Sequence, residues 1–310
     1  MQDCKDVICM GMALVDSIIQ GFDPEPVSAS GYRAKSGVLS VGGEAVNEAV
    51  ACARLGLKTG IVCALGEDPA GELILSSLQK DGVDTSGILR DPSRQTPIST
   101  IFVKGDGTRK SITNLAHREL SLSREHLLSF TDARAWLLGS LFRAPFADEP
   151  LLFDVLSVAS KSGVMIFADT KIPNFKMLTL ENLKRVLPLI DYITPNEDEA
   201  KYFTGKTDPS EMADVFLSYG VKNVIIKIGS KGCYFKNAEK EITLSAFEVE
   251  AVDPTGAGDC FLSGFVSEIL RGKNLEEALR FANICGAVCT TKPGATTALQ
   301  SREQVQLLVE

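Results

Sequence analysis

Ala251-Val252-Asp253-Pro254-Thr255-Gly256-Ala257-Gly258-Asp259-Cys260-Phe261 carries a strand-like run (243–250) through a turn of small residues and into a helix. The helix shows in Phe261 and Phe265, apolar residues one turn apart. Unpaired backbone N–H groups at a helix start bind anions, and glycines let a phosphate approach the backbone closely. Gly256 would shape the turn, and Ala257, Gly258 and Asp259 would present N–H groups to the charge that develops during phosphoryl transfer. Asp259, on the same first turn, is placed to accept the proton of an attacking hydroxyl, and the helix dipole favours its carboxylate. The plainer reading is a capped helix after a glycine turn. The stretch is not GxGxxG, since Phe261 stands at the sixth position, and no GxxxxGK[ST] occurs in the chain.

Outward from this turn, short apolar runs at 7–11, 59–65, 135–139, 164–169, 191–194 and 222–228 read as strands buried on both faces. Amphipathic stretches lie between and around them at 43–56, 69–80, 148–162, 181–188, 197–204 and 209–219, and helices close the chain at 257–271, 275–291 and 301–309. The alternation predicts an α/β fold of βαβ units around a mostly parallel sheet. Segments 12–42 and 96–116 lack helical period and read as β ribbons; Gly105-Asp106-Gly107 marks a hairpin turn in the second. A lone ribbon is marginally stable, so the two are expected to pair into a small sheet. An apolar face left exposed there would favour a second copy of the chain. With no internal repeat or low-complexity linker, residues 1–310 read as one domain with the ribbons inserted as a lid.

Bulk composition narrows the function classes. The chain has 310 residues, 45% hydrophobic and 23% charged, which suits a packed core. A formal net charge of −8 argues against nucleic-acid or anionic-membrane partners. The eight cysteines form no CxxC pair and most lie in apolar runs, so they read as reduced thiols of a cytoplasmic protein. His117 and His126 give no zinc pattern, and neither a signal peptide nor a membrane-spanning apolar run is evident.

A second motif, Gly42-Gly43-Glu44-Ala45-Val46-Asn47-Glu48-Ala49, is followed by Ala51, Ala53, Leu55 and Gly56. Gly42 and Gly43 end a ribbon and start a helix on which Glu44 and Asn47 share a face, a pair that caps helices or binds hydroxyl groups. This motif and the 251–261 stretch resemble, in order and spacing, the two signatures of the PfkB, or ribokinase-like, family of carbohydrate kinases. The resemblance covers nearly the whole chain. It implies a three-layer sandwich with a β-sheet lid, and an ATP-dependent reaction with Mg2+. It makes Asp259 the base, and the 256–259 turn the anion hole.

By the same resemblance, Asp16, Gly42, Gly43, Glu44 and Asn47 would hold the acceptor. From their place on the second ribbon, Arg109 or Lys110 could reach inward from the lid, the plainer reading being solvated hairpin charge. Asn196 and Glu199 match an NxxE motif that organises magnesium and phosphates through water, and they follow a strand, where open α/β sheets bind ligands. Lys227, Gly229, Ser230 and Gly232 resemble the nucleotide loop, and Asn283 a position near the adenine. Asp253 with Thr291-Lys292-Pro293-Gly294-Ala295 resembles a monovalent-cation (potassium) site, although Ala298 replaces a serine there. Pro254 and Cys260 replace threonines common in the second signature without removing base or anion hole.

The acceptor class stays open among sugars, sugar acids and nucleosides. Glu44 would repel an already phosphorylated sugar, and Ala53-Arg54-Leu55-Gly56 leans toward ribokinase and fructokinase. Tyr32, Phe102 and Phe142 are the aromatic candidates for stacking a base. A non-catalytic sugar-binding member is the alternative from another class. A dinucleotide-dependent dehydrogenase is disfavoured, because Gly11-Met12-Ala13-Leu14-Val15-Asp16 stands where GxGxxG would follow the first strand.

Overall fold

Val7, Ile8, Cys9 and Met10 are all buried, and they divide between two cores: Val7 and Cys9 to one face, Ile8 and Met10 to the other. A strand with both faces apolar is stable only between two layers, and that constraint organises the molecule. The structure, a computed structural model, describes residues 4–21, 33–105, 108–116, 121–174 and 176–309. Its elements run β1 (Val7–Met10), β2 (Leu14–Gln20), β3 (Ser36–Gly42), α1 (Glu44–Arg54), β4 (Thr59–Gly66), α2 (Pro69–Lys80), β5 (Asp84–Asp91), β6 (Ile98–Val103), β7 (Arg109–Thr113) and α3 (Arg124–Leu128). They continue with β8 (Ala135–Leu141), α4 (Glu149–Lys161), β9 (Met165–Thr170), β10 (Tyr192–Ile193), α5 (Glu197–Thr204), α6 (Pro209–Ser218), β11 (Asn223–Lys227), β12 (Cys233–Asn237), β13 (Glu241–Leu244), α7 (Ala257–Leu270), α8 (Leu275–Cys289) and α9 (Arg302–Val309).

Nine strands form the central sheet in the order β13-β12-β11-β10-β9-β8-β1-β4-β5. All pairs are parallel except β11–β12 and β12–β13. Helices α1, α2, α7 and α8 cover one face and α4, α5 and α6 the other. This is the ribokinase-like three-layer α/β arrangement the motifs imply. No helix among the described residues is long and apolar enough to cross a membrane. The cysteines are all free, with seven buried and only Cys4 exposed.

The two ribbons do pair, as expected, into a separate four-stranded sheet in the order β3-β2-β6-β7. Asp16 pairs with Ser40 and Ser99, and Arg109 with Val103 two positions further along each strand's face, so period-2 alternation puts Asp16 and Arg109 on the same side. Gly105 begins the expected hairpin turn; Asp106 and Gly107, like Tyr32 and His117, lie outside the described residues.

Three expectations need correction. The stretch 181–188 is not a helix but two 3₁₀ turns, Leu180–Leu183 and Leu187–Leu189, because Pro188 cannot donate to a continuing α-helix. The run 243–250 is strand only to Leu244, and the residues after it are irregular. The central sheet also has three strands that the apolar-run reading omits: β5, β12 and β13.

Gly43 joins β3 to α1 at φ 93, and a Cβ there would lie 2.4 Å from the carbonyl oxygen of Met12. Gly43→Ala should therefore lower unfolding stability by about 2 kcal/mol or more. Urea denaturation followed through the single, fully buried Trp136 measures this.

Candidate active site

The carboxyl ends of β9, β10 and β11 meet the amino ends of α1, α5 and α7 at one edge of the sheet, where ligands bind in open α/β folds. Helix α7 begins at Gly256, whose φ of 79 is left-handed and whose Cβ position would collide with Ala295 at 2.5 Å. No side chain caps this helix. The Ala257 N–H donates to Pro254 O at 3.2 Å, while those of Gly258 and Asp259 have no partner among the described residues. Lys227 Nζ stands 3.1 Å from where a Cβ on Gly258 would be, and pairs with Asp169 Oδ1 at 2.7 Å. Thr194 Oγ1 donates to the same oxygen at 3.0 Å. Lys227 thus stands beside a helix start with two amides that have no partner among the described residues.

Asp259 is 7% exposed, and Asn47 Nδ2 donates to its Oδ2 at 2.8 Å. Burial raises the Asp259 carboxyl to about 6; Lys171 and the Asn47 bond oppose the shift, and Glu44 and Asp169 add to it. The other oxygen, Oδ1, is left to face the site.

On the α1 side, Asp16 lies over Gly42, where a Cβ would come within 2.4 Å of Asp16 Oδ2. Burial, helped by Glu44, raises Asp16 to about 6. Glu44 Oε1 is 3.6 Å from Lys171 Nζ. Burial works against the charge of Lys171, yet Glu44, Asp169, Asp259 and Glu199 hold its pKa above the ordinary lysine value. Glu48, the next turn of α1, is fully buried, and burial, then Asp259, Asp169, Cys52 and Glu44, push its carboxyl well up.

On the far side, Asn196 and Glu199 form a capping box: each side chain accepts the other's backbone N–H at 2.9 Å. Thr170 Oγ1 donates to Glu199 Oε2 at 3.0 Å. Burial and Asp169 raise Glu199, against Lys227, Lys171 and the Asn196 N–H. Glu199 and Asp169 are the carboxylates available to a hydrated divalent cation, a small set of the kind magnesium uses. Gly229, Ser230 and Lys231 form a 3₁₀ turn ahead of Gly232. Asn283 Nδ2 donates to Ser245 O at 3.2 Å, on the wall of a groove of about 500 Å³ that Phe247, Arg280, Ile284 and Leu308 also line.

Asp253 is met by four donors: Arg109 Nη2 at 3.0 Å, the Thr255 N–H at 3.0 Å and hydroxyl at 2.6 Å, and the Gly294 N–H at 2.9 Å. Burial would raise its pKa, but these bonds outweigh burial and bring it to about 2. Three of these donors meet Oδ1, and Oδ2 accepts only the Gly294 N–H. Arg109 also donates to Thr255 Oγ1 at 2.9 Å, which ties the small sheet to the 253–259 turn.

The structure thus brings Asp16, Gly42, Gly43, Glu44, Asn47, Lys227, Asp253 and the 256–259 turn around one site. It sets Asn196 and Glu199 beside them, and Asn283 at the groove. Sequence reasoning missed Asp169, Lys171 and Glu48. The first two sit at the carboxyl end of a buried strand, a position that itself marks ligand sites; nothing in the sequence distinguishes Glu48 from an exposed helix residue.

An Asp259 pKa raised from 3.8 to about 6 means the fold binds its proton more tightly than the unfolded chain does. Ionising Asp259 therefore costs stability as pH rises through that window and leaves the full cost above it. Asp259→Asn should raise the melting temperature by a few degrees at pH 8, and the gain should vanish below pH 4. Calorimetry at both pH values measures it.

Residues 5–302 match the pfkB family carbohydrate kinase profile. Ribokinase of Haemophilus influenzae is 30% identical over 278 residues, covering 88% of each chain. Probable fructokinase-5 of Arabidopsis thaliana is 27% identical, over 98% of this chain and 97% of that one. Among solved structures, Arabidopsis thaliana ribokinase complexed with ribose and ATP superposes with a TM-score of 0.86 at 27% identity, covering 99% of both chains. An E. coli chain solved with ATP and Mg2+ superposes with a TM-score of 0.81 at 27% identity, over 98% of this chain and 99% of that one.

Proposed function

The chain belongs to the pfkB family of carbohydrate kinases, and on that premise we propose that it transfers the γ-phosphate of ATP to a hydroxyl of an unphosphorylated sugar or sugar acid. The observation that carries this reading is the start of α7. There a buried carboxylate and two unpartnered amides, those of Gly258 and Asp259, share one helix turn.

In this reading Asp259 Oδ1 accepts the acceptor's proton while Asn47 fixes the other oxygen. The amides of Gly258 and Asp259, with Lys227 Nζ, receive the charge on the transferring phosphoryl group, and Ala257 shapes the turn. Phosphoryl transfer is mostly positioning and electrostatics, so these groups supply what the reaction needs. The nucleotide lies over Gly229, Ser230 and Gly232, with its base in the groove at Asn283. The ribokinase structure with ATP and ribose supports that placement by its likeness. Glu199, beside Asn196, would hold magnesium, which when bound would neutralise charge on the phosphates. A monovalent cation at Asp253 would share that carboxylate with Arg109, which bonds its Oδ1.

The small sheet is the lid: Asp16 and Arg109 line its inner side, and closure excludes water that would otherwise hydrolyse ATP. Its outer side exposes Leu39 (63%) and Ile112 (67%), which supports a homodimer through the lid in a cytoplasmic protein with reduced thiols. The nucleoside reading lacks a stacking partner in Phe142, which is buried against Phe203 with ring centroids 4.2 Å apart. A non-catalytic role would leave the buried base and its amides without a use.

The test is ADP release with ATP and Mg2+ across pentoses, hexoses, keto-deoxy acids and nucleosides. Asp259→Asn should keep ATP binding and lose turnover by roughly 10²-fold or more; near-normal turnover removes Asp259 from the mechanism. Because the base works ionised, kcat/KM of the wild type should climb as pH rises through about 6 and level off above it. A profile flat from pH 5 to 8 would refute that assignment.

A further inference from the structure

The first turns of α1 crowd the acceptor side of the site with buried side-chain oxygens that have no partner among the described residues. Glu44, Asn47 and Glu48 share one helix face, and Glu44 and Glu48 pack toward Gly139, where a Cβ would come within 2.8 Å of Glu44 Cβ and 3.3 Å of Glu48 Oε2. Four of their oxygens are buried without a partner among the described residues: Glu44 Oε2, Asn47 Oδ1, and both carboxyl oxygens of Glu48. Asn47 is only 6% exposed and Glu48 not at all. Ser140 Oγ, beside Gly139, is likewise buried without a partner among the described residues. Native proteins leave few buried acceptors unmet, and each costs stability until a donor arrives.

Charge points the same way. Asp16 and Glu44 are close enough for Glu44 to help raise Asp16. Asp259 and Asp169 add negative charge behind them, while burial holds Glu48 as the neutral acid. Against these stands Lys171, 3.6 Å from Glu44 Oε1 but acted on also by Asp169, Asp259 and Glu199. Lys227 is engaged by Asp169. A neutral sugar brings one hydrogen per hydroxyl and no charge to this surplus. A primary ammonium brings three donors and one positive charge.

We propose that the preferred acceptor is an amine-bearing sugar or polyol, whose ammonium group sits between Asp16, Glu44 and Asn47 Oδ1 while its reacting hydroxyl faces Asp259. This rests on the kinase reading of the site and names the substrate class within it. Glu44 is the residue that makes the preference, since Asp16 and Asn47 serve any hydroxylated acceptor.

The experiment measures ADP release with ATP and Mg2+ for matched pairs, an amino sugar against its hydroxyl counterpart, with the N-acetylated sugar as a third member. Wild type and Glu44→Gln are compared. Wild-type kcat/KM should favour the amine roughly tenfold or more over the hydroxyl counterpart, as a desolvated charge pair gives. N-acetylation should abolish the preference, and Glu44→Gln should bring the ratio close to one. Equal or better turnover of the hydroxyl member by wild type overturns the inference and leaves the kinase standing; that arm does not depend on how well Glu44→Gln folds. A preference that survives Glu44→Gln overturns it as well. No phosphorylated product from any sugar or amine refutes the kinase reading itself. Calorimetric binding to Asp259→Asn should show the same preference without turnover, and equal affinity for both members would sink it.

Discussion

The hydrogen bond from Asn47 Nδ2 to Asp259 Oδ2 joins helix starts 212 residues apart in sequence, and both helices must be placed to ångström accuracy for it to form. Helix α1 is set by Gly43, which turns the chain out of β3, and α7 by Gly256, packed hard against Ala295. Beneath them, Val7 and Cys9 of β1 and Phe167 of β9 fill the same core as Ala45, Val46, Phe261 and Phe265. A core packed that densely resists the small shifts that would open the bond. The bond in turn leaves Asp259 one free oxygen with a fixed direction. The two glycine-led motifs of the chain are therefore one physical object, assembled only when the sheet between them has formed.

The electrostatics of this object run against stability. Asp16, Glu44, Asp169, Glu199 and Asp259 lie close enough to act on one another or on Lys171, and burial raises Asp16, Glu199 and Asp259. Strongly shifted carboxyls gathered at the carboxyl end of a sheet are what a site for proton transfer needs, and a purely structural network would pair them off. The acids elsewhere show the contrast. Asp68 caps α2 and accepts the Thr96 N–H at 2.7 Å, and its pKa moves down despite burial.

Period and punctuation made the parallel strands and most helices legible, because a strand buried on both faces leaves an apolar run with turn residues at its ends. The same rule hides β5, whose Asp84-Thr85-Ser86-Gly87-Ile88-Leu89-Arg90-Asp91 is polar because it lies at the sheet edge. It also hides β12 and β13, an antiparallel ribbon whose outer strand is partly exposed. The 181–188 stretch kept a helical spacing of leucines through Pro188, so pattern alone outvoted backbone chemistry. In the site, motif residues could be placed by order and spacing. Lys171 and Glu48 could not, since their significance comes from neighbours on other strands and helices that no local pattern reports.

Arg109 shows how the small sheet can govern the chemistry from outside the central fold. Its guanidinium donates to Asp253 and Thr255, the two residues that lead into Gly256, while its backbone sits in β7 opposite Val103. Asp16 sits on the same side of that sheet, its β6 partner Ser99 four residues before Val103. A displacement of the sheet would therefore act on Asp16 and on the Arg109–Asp253 bond together. The Arg109–Asp253 pair is partly exposed on the arginine side, 44%, so solvent screens it and its worth is small. A weak pair of this kind ties the small sheet to the 253–259 turn without fixing the two rigidly together.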